Sequence, residues 1–228
     1  MRRHATLPIV AALALGALLT GCSADDDEDD VVAMPFDTVA MPVDRAPTAT
    51  PGQHLAQGEI ALLPQTDFAG VPDIEIETTV IGVAEGDASY WDTFDNGADF
   101  AGETPFFAVM QYRWVTGDVD AYSNPILRPI LEDGTEGGMV QRETGPIMSD
   151  TACPFEVGRF DMDPDRGDNE YIACVVYTAP EGSTIVGLGW NNVSSSFLSE
   201  PAPELNPFYA TPVVWDVTPV AAPNSTDN

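Results

Sequence analysis

The chain has 228 residues, with 37 Asp and Glu against eight Lys and Arg, for a formal net charge of −29. All eight basic residues are arginines, so the surface repels nucleic acid and anionic lipid headgroups and suits cations or basic partners. With 19 Gly, 20 Pro and no sustained helical period of leucines, the composition excludes a helical bundle and favours a single all-β domain beside a non-globular segment.

Met1-Arg2-Arg3-His4 is a short positive segment, and Leu7 to Leu19 is apolar apart from Pro8 and Gly16. About 20 apolar residues are needed to span a bilayer, so this stretch is short for a transmembrane helix and fits a secretory signal. It ends in Leu18-Leu19-Thr20-Gly21-Cys22. These residues resemble the lipoprotein signal family, in which Leu, a small residue and Gly or Ala precede a Cys. The resemblance implies a signal peptide over 1–21, cleavage before Cys22 and a diacylglyceryl group on its thiol. Two acyl chains hold a protein stably on a membrane, where one holds it weakly. The expected location is therefore the extracellular side of the cell membrane, with the bilayer as first partner. Cleavage leaves six arginines against 37 acids, a net charge of −31. An ordinary secretory peptide with a chance Cys is the alternative. Arg2-Arg3 leaves twin-arginine export open beside general secretion.

Residues 22–71 read as an acidic, Pro-rich tether. Asp25-Asp26-Asp27-Glu28-Asp29-Asp30 repels itself, and Pro35, Pro42, Pro47, Pro51 and Pro64 deny the segment a helix. Ile60-Ala61-Leu62-Leu63 is a short apolar patch suited to a domain edge. The domain itself is placed at 72–218. Ile74 to Val80 alternates apolar and polar with period two, the pattern of a half-buried strand. Asp87 to Gly102 is a polar loop. Pro105 to Val115 is the longest expected strand, with Phe106, Ala108, Met110, Tyr112 and Trp114 on one face and Phe107, Val109, Gln111, Arg113 and Val115 on the other. Further strands are expected at Ile126–Leu131, Met139–Arg142, Glu156–Met162, Tyr171–Thr178, Thr184–Trp190 and Pro212–Val217, with turn residues between them. Residues 219–228 read as a flexible tail. Short strands separated by turns at this spacing point to a β-sandwich.

With Cys22 assigned to lipid, Cys153 and Cys174 are the remaining pair, and an oxidising exterior favours a disulfide between them. Two buried thiols or one reactive Cys are the alternatives, but no His lies near either in sequence. Asp161, Asp163 and Asp165 stand at alternate positions, as the first oxygen ligands of a Ca²⁺ loop do. Arg166 stands where such a loop needs Gly, and Ile172 where it needs Glu, so the plainer reading is an acidic hairpin turn. No other cofactor is expected. Tyr90, Trp91 and Phe94, with Phe100 in the same loop, either stack on a ligand or cover the end of the core.

The long strand closing in Gly117-Asp118, the Leu131-Glu132-Asp133-Gly134 turn, and Cys174 to Leu188 with its Pro180-Glu181-Gly182 turn carry a wider resemblance. Over residues 72–218 the chain resembles the immunoglobulin-like lipoprotein domains of unknown function in Gram-positive bacteria, relatives of a small secreted mycobacterial antigen. Thr116 stands where those domains usually carry Asn, and Trp114 precedes both Cys of the pair. The resemblance implies an immunoglobulin-like antiparallel sandwich and no established catalytic residue. The expected function is a lipid-anchored, non-catalytic binding or adhesion module for a protein or glycan. The alternative is a cell-envelope enzyme such as a glycan hydrolase working through two carboxylates.

Overall fold

The computed structural model describes residues 33–66, 72–94, 96–116, 125–142, 145–146, 153–155, 169–192 and 206–223. Among these the strands are β1 (His54–Ala56), β2 (Ala61–Thr66), β3 (Pro72–Glu85), β4 (Glu103–Thr116), β5 (Arg128–Leu131), β6 (Gly138–Met139), β7 (Gln141–Arg142), β8 (Gly145–Pro146), β9 (Glu170–Pro180), β10 (Ile185–Trp190), β11 (Val213–Asp216) and β12 (Val220–Ala221). The loop from Asp87 to Gly102 holds two 3₁₀ turns, Ala88–Thr93 and Gly97–Phe100.

The large sheet runs β12-β3-β4-β9-β6, with β2 also paired to β3. The small sheet runs β1-β11-β10-β5. Pairing is antiparallel except at β1–β11 and β12–β3. The two sheets pack face to face, as expected for an all-β sandwich. Phe106, Met110, Tyr112 and Tyr177 from the large sheet share one core with Leu188, Trp190, Val213 and Trp215 from the small one. The alternation along β4 has the structural outcome read from its sequence. Phe106, Ala108, Met110, Tyr112 and Trp114 face the small sheet. Phe107 and Val109 point away from it, into a second apolar cluster with Ile81, Trp91, Phe155 and Val176.

Strand pairing corrects the expected domain boundaries. Residues 22–71 were expected to be a tether with one apolar patch, Ile60 to Leu63, at the domain edge; β2 bears out that patch, and much of the described chain from Met34 to Thr66 belongs to the fold as well. β1 lies beside β11 in the small sheet, and β2 lies beside β3 in the large one. Between them the chain crosses from one sheet to the other, and the buried Trp215 holds the crossing by donating Nε1–H to the Glu59 carbonyl at 2.8 Å. Leu55, Ala61, Leu62 and Leu63 are buried. The physical reason is simple: the apolar patch from Ala61 to Leu63 gains more by burial against β3 than an extended Pro-rich segment gains by solvation. At the other end, β12 pairs with β3 at Val220↔Ala84 and Ala221↔Glu85, inside the expected tail.

Upstream of β1, residues 33–49 form a strap over the outer face of the large sheet. Met34 and Phe36 pack into the outer cluster. Phe36 lies over Gly82 so closely that a Cβ on Gly82 would stand 2.3 Å from its ring. The Val39 amide donates to Gln111 Oε1 at 3.1 Å, and the Ala46 amide to Glu77 Oε1 at 2.7 Å. Ala49 N–H then donates to the Leu62 carbonyl at 2.9 Å, and Leu62 N–H to the Pro47 carbonyl at 3.0 Å. The strand around Ile74–Val80 is therefore covered on both faces, where its alternation predicts cover on one.

Three tyrosines, Tyr112, Tyr171 and Tyr177, are withdrawn from water, and Tyr90 is half-buried. Burial raises the hydroxyls of Tyr90, Tyr171 and Tyr177 well above the ordinary 10.0, and that of Tyr112 further with Tyr171 and Tyr177 beside it. A folded-state pKa above the unfolded value contributes stability that is complete below the unfolded pKa and lost as pH rises through the folded one. Urea stability is therefore expected to be insensitive to these groups below about pH 10 and to fall steeply above it. Tyrosinate absorbance of Tyr112, Tyr171 and Tyr177 should appear together with unfolding. Graded ionisation of all tyrosines in a still-folded chain would contradict this burial.

Candidate functional site

One end of the large sheet gathers the residues with most to offer a ligand. Asp87 caps the first 3₁₀ turn by accepting the Ser89 amide at 2.8 Å, which holds its own carboxyl below the usual 3.8. The turn presents Tyr90, Trp91 and Phe94 in succession, and the second turn adds Phe100. Trp91 stacks on Phe100 with ring centroids 4.3 Å apart and donates Nε1–H to the Glu103 carbonyl at 2.8 Å. Tyr90 meets Phe94 edge-on at 5.1 Å and Phe107 at 4.8 Å. Phe107 in turn meets Phe155, and Phe155 meets Phe36 of the strap.

These contacts sort the expected ligand-binding residues. Trp91 is 4 % exposed with its N–H satisfied, so it serves as the inner post of the loop and is withdrawn from the candidate contact surface. An indole of this size lowers the free energy most by burial, and its one polar group has found a backbone acceptor. Tyr90, Phe94 and Phe100 are half-buried and form the rim. Around them stand Glu85, Asp87, Asp92, Asp99, Glu103 and Glu181, from the ends of β3, β4 and β9 and from the loop.

The arginines with described side chains lie elsewhere. Arg113 pairs with the Glu77 carboxylate and lies 3.7 Å from Glu170, Arg45 pairs with Glu75, and Arg128 pairs with Glu136 at 2.7 Å. The first two sites sit at the opposite end of the large sheet, and the third lies on the small sheet. Each described Arg side chain is thus engaged by a carboxylate, and none faces the acidic–aromatic end. Among the described residues, the carboxylates of the far end are matched by arginines and those of the acidic–aromatic end are not.

Glu77 is a residue whose importance its sequence pattern conceals. It occupies an outward position in an alternating strand, which predicts exposure, yet it is 0 % exposed. Arg113, directly across the ladder from it, binds one carboxylate oxygen, and the strap amide of Ala46 binds the other. A buried charge survives when it is paired and its remaining lone pairs are satisfied. The available signal was the opposite charge at facing positions of two adjacent long strands.

The disulfide is present: Cys153 and Cys174 are bonded at 2.04 Å with Cα atoms 5.9 Å apart. It pins the Cys153–Phe155 segment onto β9, within the outer cluster. Cys22 lies outside the described residues, as do Asp161, Asp163 and Asp165. Among the described residues there is no group of three His, Cys, Asp or Glu side chains placed to share a metal ion. Nor does any helix among them have the length and apolarity to cross a membrane. Comparison with protein-family models, curated proteins and solved structures finds no match for the chain.

Proposed function

We propose that the chain is a lipid-anchored, extracytoplasmic, non-catalytic binding module. The observation that carries the reading is the division of its three cysteines. Two are joined across the outer cluster, as suits an oxidising compartment, and the third closes the Leu18–Cys22 motif. The surface offered to a ligand is the acidic–aromatic end. Carboxylates around half-buried rings favour a cationic group, which gains from charge and from the face of an aromatic ring together.

Mass spectrometry of the membrane-held mature protein tests the anchor. The expected result is an N-terminal Cys22 carrying diacylglycerol, and a Cys22→Ala chain that is uncut or released to the medium. Membrane-held mature protein with an unmodified Cys22 would defeat the reading. Binding is tested by capturing envelope components on the native chain and on a Phe94→Ser variant of equal stability. Capture that is equal for both would remove the aromatic end from the proposal.

A further inference from the structure

The strap changes what an anchor at Cys22 would do. A tether from Ser23 to Val71 has 49 residues and, as a flexible coil, a root-mean-square reach of roughly 40 Å, with a fully extended length of roughly 160–175 Å. The strap, however, seats the chain on the sheet at Met34 and Phe36. At most residues 22–33 then separate the lipid from the first seated side chain, Met34, 12 residues that span at most about 40–43 Å when fully extended.

The strap also has a direction. It starts at Met34 and Phe36 among the rings of the outer cluster, with Phe36 over Gly82 and 6.4 Å from Phe155. It then passes Gln111 and reaches Glu77 before joining Leu62. Along β3 this is a course from residue 82 toward residue 77, away from the acidic–aromatic end. The chain therefore leaves the domain toward its anchor near Tyr90 and Phe94, on the side opposite the cluster of paired arginines.

We infer that residues 33–49 are a latch that converts a long leash into a short one and holds the start of the strap, at the acidic–aromatic half of the outer cluster, within about 43 Å of the lipid surface. The inference rests on the lipid-anchored reading for the membrane and on the strap contacts for the latch. Its consequence is that a ligand meets this end in the narrow space between domain and membrane. The high negative charge of domain and leash keeps that end off an anionic bilayer while leaving it open to cationic groups.

Arg45 makes the latch testable, because it is the only trypsin site between Cys22 and Arg113. In the strap Arg45 pairs with Glu75, and the following Ala46 is buried with its amide on Glu77. Cleavage at Arg45–Ala46 therefore requires the strap to open. The experiment reconstitutes the lipidated, full mature chain in phosphatidylcholine vesicles, adds trypsin and follows the 22–45 fragment by mass. The reference is a synthetic peptide of residues 38–52. Cleavage at least about 100-fold slower than in the peptide is expected, because opening must precede the cut. Cleavage at the peptide's rate, with prompt release of the domain, would overturn the latch. A chain that never partitions with the vesicles before trypsin would instead defeat the anchored reading, and protection of Arg45 in that soluble chain would still support the latch.

Discussion

Replacing Glu77 by Ala is expected to destabilise the protein by roughly 3–5 kcal/mol, the usual penalty for breaking a buried ion pair by removing one partner. The change leaves Arg113 partly buried without its main counter-charge and orphans the Ala46 amide. Both consequences lie under the strap, so strap and sheet should loosen together. The measurement is the urea midpoint at unchanged slope, which reports stability and not a change in compactness. A double variant, Glu77→Leu with Arg113→Leu, should recover a substantial part of the loss, because apolar side chains of similar size remove the desolvation penalty along with the attraction. A loss under about 1 kcal/mol for Glu77→Ala would mean that the pair is solvated in solution and the strap is not seated as described.

The second large effect belongs to the disulfide. Cys153 and Cys174 are 21 residues apart, and closing a loop of that size is worth about 3 kcal/mol on the chain-entropy estimate. Changing both to Ser is expected to cost about 2–5 kcal/mol, since Cys153 and Phe155 also lose the covalent hold that keeps them against Phe107 and Val176. Reduction of the native protein should give a similar shift in midpoint. The outer cluster should suffer before the inner core, because Trp190, Trp215 and Leu188 do not depend on the bond. Equal stability of oxidised and reduced chains would show that the segment is held by packing alone.

Much of this architecture was legible because short-range pattern and long-range environment agree. Along β4 both faces are apolar over Phe106–Val109, so the strand reads as buried and is. The Cys pair was legible because three cysteines and one lipid motif leave two. β2 was foreseen only as an apolar patch at a domain edge, and the strap was misread for the opposite reason. Pro35, Pro42 and Pro47 exclude helix, but they do not exclude an extended segment that lies on a sheet and bonds through side-chain acceptors such as Gln111 and Glu77. Those acceptors are scattered more than 30 positions away, so no local window contains the reason for the docking. Trp91 follows one of the two readings its loop offered, cover for the end of the core: it stacks on Phe100 and donates to the Glu103 carbonyl, both in the same stretch of chain.

The most direct measurement of the strap as part of the fold is amide hydrogen exchange in the mature chain, resolved at Val39 and Ala46. Both amides donate to side chains of the large sheet, and both should exchange only when the strap opens. Protection of at least about 100-fold over the unstructured rate is expected at both sites, with Ala46 losing its protection in Glu77→Ala. Exchange of both at the unstructured rate, in a chain whose β4 and β9 amides stay protected, would contradict the docked strap and return residues 33–49 to the tether.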